Sequence, residues 1–337
     1  MKVVHPIVWV ILASAAPTYA LVVTKTVPVG IVKLGDTTVG EDSVKANTDV
    51  RISIPFLKPA KVTAGVSSIS GSTVTLQNIL GSIPTISPTL PPYYLVIESG
   101  ANAGLIAMVS GSTSTTVTVN LQLHDDLTSV AADDEITLRP AWTVATFFTG
   151  AVPADTQLMA WTGAQSGVDL APSLYFQYTG TAWEDPISTG NVDDVVIYPN
   201  ETFIVRSPSS IPIPTLAVAG EVSTIRSRAH INCAPSGQDN PITYFASAAE
   251  VLSGSGLSTV SETNDQIFLY KNGDAGVNKS PLGIIEYDGS GWVDVIFGGP
   301  MDDIFQFEPG VGYVYRRQTN TPALWSDLPD YLPLDSP

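Results

Sequence analysis

Tyr178 and Trp183, and again Tyr287 and Trp292, stand in the same pattern, Tyr-x-Gly-x-x-Trp. Rings of this kind, when exposed, form platforms on which sugar rings stack. Two equivalent copies would make a bivalent carbohydrate-binding or adhesive module built on these four residues. The reading weighed against it, and favoured, places the rings in the core. Tyr178 shares strand parity with Phe176 and Leu174 and so lies on the more apolar face.

Paired carboxylates are the second recurrent chemistry. Asp125-Asp126, Asp133-Asp134, Asp193-Asp194 and Asp302-Asp303 invite a calcium or a general acid and base role. Neighbours on a strand point to opposite faces, so a doublet does not aim two carboxylates at one site, and solvated turns are expected. The loop from Asn272 to Asn278 has the oxygen donors and glycines that calcium needs, without the Asp-x-Asp-x-Asp-Gly spacing and closing Glu of a strong site. No cofactor is therefore expected, and calcium is the one weak candidate. Hydrolytic chemistry has less to draw on: beyond His5 the histidines are His124 and His230, and neither a Gly-x-Ser-x-Gly elbow, a P-loop, a dinucleotide fingerprint nor a Cys and His zinc cluster is present. The chain reads as a non-enzyme.

The elements that must position these residues are strands. Thr116 to Leu123 alternates Val117, Val119, Leu121 and Leu123 with polar residues, which puts the apolar set on one face. Val62 to Val66 and Val74 to Leu76 alternate around Ser70-Gly71-Ser72, a hairpin signal. Ser82 to Tyr94 is too rich in proline for a central strand and reads as a loop, and Ile211 to Gly220 as an extended connector. Two short segments, Trp142 to Phe148 and Thr243 to Leu252, have helical spacing.

The two Tyr-x-Gly-x-x-Trp stretches belong to a longer duplication. Ala154 to Trp161 matches Thr263 to Tyr270, Asp193-Asp194 matches Asp302-Asp303, and Tyr198 to Arg206 runs parallel to Phe307 to Arg316, at an offset of about 109 residues. Each copy predicts an antiparallel meander. The four residues between the two aromatics form its hairpin loop, which sets the rings opposite one another, a cross-strand pair worth up to about 1 kcal/mol. The chain is expected to be all-β: residues 1–20 a signal peptide, 21–140 an N-terminal β domain, 141–220 and 221–337 two homologous β modules.

Composition bounds the function. The first twenty residues have one Lys, a short apolar run and small residues before Ala20, the design of a secretory leader. No later run is long enough for a transmembrane helix. A net charge of -17, with 32 acidic against 15 basic residues, disfavours nucleic acid as a partner. The single cysteine, Cys233, rules out an internal disulfide; it reads as a small apolar residue, with an intermolecular disulfide as the alternative. Charged residues are only 14% of the chain and hydrophobic ones 44%, a surface suited to burial against copies of itself.

At Val27 to Leu34, Tyr93 to Gly104, Thr143 to Phe148 and the two Tyr-x-Gly-x-x-Trp hairpins, the chain resembles an uncharacterised family of exported, β-rich proteins. That family is known mainly from verrucomicrobial-type bacteria, often as several paralogues per genome. The resemblance implies export and an extracellular or cell-surface role, and it supplies no catalytic residues. The leading expectation is a structural protein that associates with itself, filaments being one expected form, through an N-terminal strand carrying Val22, Val23, Val27, Val29, Ile31 and Val32, where Pro28 suits an edge or donated strand. The alternative is a secreted binder of extracellular glycans.

Overall fold

A computed structural model describes residues 28–148, 150, 152–161, 163 and 165–332. The leader and Val22, Val23 and Val27 of the expected assembly strand lie outside the described residues. The regular secondary structure of the described residues is almost wholly antiparallel strand. Val144–Phe147 is a single helical turn, started by a capping box between Thr143 and Thr146 and ended where Phe148 leaves the helical conformation. The second expected helix does not form. Pro241 lies instead in the strand Gln238–Ile242 opposite Val314, an edge position where a missing donor is tolerated, and Glu250–Val251 pairs with Gln306–Phe307.

Six strands close a barrel in the order Val62–Ser70, Thr73–Gly81, Thr116–Asn120, Ile106–Ser112, Tyr93–Ile97 and Glu135–Pro140. The alternation seen in the sequence fills it: Val62, Ala64, Val66, Val74, Leu76, Val117 and Val119 all enter one core. Closure leaves no free edge.

Two five-stranded sheets make up the rest of the frame. The first runs Trp183–Glu184, Leu174–Tyr178, Gln157–Ala160, Phe203–Arg206, Asp49–Ile52; the second runs Trp292–Asp294, Gly283–Tyr287, Gln266–Leu269, Tyr313–Arg317, Gln238–Ile242. Order and register agree throughout. Tyr178 faces Trp183 and Tyr287 faces Trp292; Gln157 faces Gln177 and Arg206, and Gln266 faces Glu286 and Arg316; Arg206 faces Asp49 and Arg316 faces Asp239. The first sheet takes its edge strand from before the barrel and its other four strands from after it. The barrel is thus an insertion into the first lobe, and residues 49–52 pair with that lobe, not with the barrel. Entry and exit of the insertion lie side by side, with Lys58 Nζ donating to Ala141 O at 2.9 Å and Arg139 Nη1 donating to Lys58 O at 3.0 Å.

A three-stranded sheet, Val29–Lys33, Ala217–Val222, Phe56–Leu57, ties the lobes together. The expected connector is therefore its middle strand. Gly30 faces Gly220 at its centre, and both must lack a side chain: a Cβ on Gly30 would lie 2.6 Å from the Phe56 ring, and one on Gly220 would lie 2.5 Å from Leu57 O. The barrel also packs into the first lobe. Tyr94, Val96 and Ile106 point outward from the barrel into the core that holds Trp142, Phe203 and Val205.

Candidate functional site

The hairpin aromatics do not form a platform. Trp183 is 2% exposed and Trp292 is fully buried, while Tyr178 and Tyr287 pack against the same cores. Their rings lie 5.4 Å and 5.3 Å apart in the two copies, and Phe148 also stacks on Trp183, at 4.6 Å. The pairs fix the hairpin register, as cross-strand aromatic pairs do.

The acidic doublets serve turns with one exception, the buried Asp125 carboxylate, which pairs with Arg228 at 3.5 Å and His230 at 2.7 Å. Asp193 Oδ1 accepts from Trp183 N at 2.9 Å and Asp302 Oδ2 from Trp292 N at 3.1 Å, which fastens each hairpin to the loop that follows it. Asp126 and Asp134 accept from Thr128 N and Ala131 N within their own turns. In the Asn272 to Asn278 loop a side-chain cation already sits on the backbone oxygens: Lys279 Nζ donates to Lys271 O at 2.8 Å and to Asp274 O at 2.9 Å. Asn272 turns away to hold the backbone of Arg51. Among the described residues no three His, Cys, Asp or Glu side chains gather as a metal site would need, and no helix is long and apolar enough to cross a membrane. Cys233 is half-buried and free.

What the fold does build is an open cleft of about 360 Å³ where the barrel and both lobes meet. The barrel gives Gln122 and Leu123, the first lobe Trp161, Gln165 and the run Tyr198 to Thr202, and the second lobe His230 and the edge strand at Gln238 to Pro241. Junctions of this kind are where ligand sites most often lie. Trp161 is half-buried, and its indole N–H donates to Leu170 O at 3.0 Å, so the ring is held by its edge with its body on the cleft wall. Two acceptors in the wall, Gln165 Oε1 and Asn200 Oδ1, are buried without a hydrogen-bond partner.

The walls are pinned across the lobes. Arg316 Nε donates to Asp239 Oδ1 at 2.6 Å, and Asp169 N and Gly167 N of the first lobe donate to Asp239 Oδ2 at 2.6 Å and Gln238 Oε1 at 2.9 Å. On the barrel side, His230 Nε2 lies 2.7 Å from Asp125 Oδ1, and Gln122 Nε2 donates to Glu201 Oε1 at 2.9 Å. Glu201 keeps an exposed face toward the cleft, yet the chain packed around it removes enough water to push its carboxyl up to about 7, a shift that water at the open face works against. Burial, with the Glu201 charge beside it, pushes the Tyr198 hydroxyl up to about 12.

Such a site can bind a molecule with an apolar face and a rim of hydroxyls. Both Asp239 oxygens are engaged, Oδ1 by Arg316 Nε and Oδ2 by Asp169 N. Compared with protein families, characterised proteins and solved structures, the chain matches none.

Sequence patterns alone missed this cleft because its residues come from three separate pairings. One signal was present: Asn200-Glu201-Thr202 stands in the first copy where the second has Gly310-Val311-Gly312.

Proposed function

We propose that this is an exported, non-enzymatic carbohydrate-binding protein that seats a saccharide ring on Trp161 in the junction cleft. The carrying observation is the half-buried Trp161 indole, fixed by its N–H to Leu170 O, on the wall of an open cleft whose rim carries Gln122 and Glu201. The C–H face of a sugar ring would cover the indole while its hydroxyls bond the polar groups at the cleft rim. Export is supported by the leader-like first twenty residues and by the resemblance to an exported family.

Titration calorimetry and tryptophan fluorescence with neutral hexasaccharides from cellulose, xylan, mannan and galactan test this. Binding to one class, lost in Trp161→Ala, is the expected result. Silence across the whole panel, or binding unchanged in Trp161→Ala, would overturn it.

A second reading, self-association by strand addition, has one observation in its favour. The strand Val29–Lys33 pairs with Ala217–Val222 on one side only, and Val29 and Ile31 are 73% and 75% exposed along it.

A further inference from the structure

The cleft has a counterpart on the other lobe. Trp161 ends the first-lobe strand Gln157–Ala160 as Tyr270 ends Gln266–Leu269, and Pro241, opposite Val314, occupies the register position that Arg51, opposite Ile204, holds in the first sheet. Each strand-end aromatic faces the edge strand of the opposite lobe. On the Trp161 side the corresponding edge residue is Pro241, and both residues line the open cleft. Around Tyr270 it is Arg51, whose guanidinium carbon lies 3.4 Å above the ring centroid.

The closed side is built firmly. Asn272 accepts from Arg51 N and donates to Arg51 O, both at 2.9 Å, where the first copy has Gly163. The guanidinium itself is held by stacking and not by an ion pair. Its Nε is buried without a partner, and among the described residues no carboxylate lies within ion-pair distance of it. A buried donor left unmade is costly, and stacking on tyrosine is the compensation the structure shows. Arg51 thus occupies the Tyr270 face as a ligand ring would occupy Trp161.

We propose that Tyr270 marks a second, latent saccharide-binding face, which Arg51 keeps closed, so that the duplicated chain is monovalent. The inference rests on the saccharide-binding reading of the Trp161 cleft. The closed face has Gly310 and Val311 where the open one has Asn200 and Glu201, so once uncovered it binds more weakly.

Calorimetry with the same four neutral hexasaccharides on the wild-type chain, Arg51→Ala, Trp161→Ala and the double variant separates the two ideas. The Arg51 backbone keeps its hydrogen bonds to Asn272 in the Ala variant, and circular dichroism melting checks the fold. The expected pattern is one oligosaccharide per wild-type chain, a second and weaker one in Arg51→Ala, none in Trp161→Ala, and only the weak one in the double variant. A single site in both wild type and Arg51→Ala overturns the latent face and leaves the Trp161 cleft standing. Binding that appears only when Arg51 is removed overturns the Trp161 cleft and keeps the Tyr270 face. No binding in any variant overturns both.

Discussion

Arg206 grips Asp49 with two bonds, Nε to Oδ1 at 2.6 Å and Nη2 to Oδ2 at 2.8 Å, across 157 residues of chain that include the whole barrel. The pair closes the first lobe around its insertion, and Asn278 N of the other lobe donates to Asp49 Oδ2 at 2.8 Å. Arg316 and Asp239 repeat the arrangement in the second lobe, with Asp169 N as the crossing donor. Each lobe therefore lends the tip of one loop to the other lobe's ion pair.

The Asp49 side chain is 3% exposed, so Asp49→Ala leaves the Arg206 charge half-buried without its partner. A loss of about 3 kcal/mol is expected, since breaking a buried pair costs far more than replacing both members. Urea unfolding checks this, and the double variant Asp49→Leu with Arg206→Met should recover part of the loss.

Asp239→Ala removes the acceptor that fixes Asp169 and with it the Trp161 side of the cleft. Saccharide affinity is expected to fall about tenfold, the loss of one good hydrogen bond's worth of ordering. Calorimetry on Asp239→Ala against Asp49→Ala, which lies away from the cleft, measures the difference.

Trp183→Ala and Trp161→Ala should separate core from site. The first empties a buried position and is expected to cost about 3–5 kcal/mol of stability. The second should change unfolding little and abolish binding. Thermal melts and titrations of both variants distinguish these roles.

Glu201 gives a pH signature. Its folded carboxyl is raised from 4.5 to about 7, so the folded state holds a proton that the unfolded state has released, and stability due to this group is full below about 4.5 and is lost as pH rises through about 7. The urea midpoint of wild type relative to Glu201→Gln should therefore decline between pH 5 and pH 8. A difference that is flat across this range would contradict the raised carboxyl.

Tyr94 couples the barrel to the first lobe: its hydroxyl accepts from Trp142 N at 3.2 Å and donates to Ile197 O. Tyr94→Phe strands both buried backbone groups and is expected to cost about 1–3 kcal/mol. Because the core there is shared, barrel and first lobe should still unfold together in chemical denaturation followed by far-UV circular dichroism and tryptophan fluorescence.

Strand addition is tested most cleanly at Ile31. Deleting the whole N-terminal strand would also remove Val32 and Leu34, which pack into the core, so a fold defect would mask the result. Ile31→Lys places a charge on the exposed edge alone. Sedimentation over a concentration series should show association in the wild type and its loss in Ile31→Lys if the edge is used.

By itself the sequence determined the barrel strands, the repeated hairpins and the pairing of Tyr178 with Trp183 and Tyr287 with Trp292, but not the strands Asp49–Ile52, Ala217–Val222, Ser227–Ile231 and Ala323–Asp327. The elements it determined follow from alternation and from turns a few residues long, which act within one neighbourhood of the chain. Pro241 shows where local propensity fails: a proline beside helical spacing reads as a helix start, and edge pairing with Val314 overrides it. The insertion of the barrel, the crossing of the lobe loops and the cleft were decided only by tertiary structure. Gln122, Trp161, Asn200 and Asp239 carry no shared spacing; they meet because three sheets pack at one junction. The equivalent places of Pro241 and Arg51, the latter stacked on Tyr270, are likewise set by long-range sheet register.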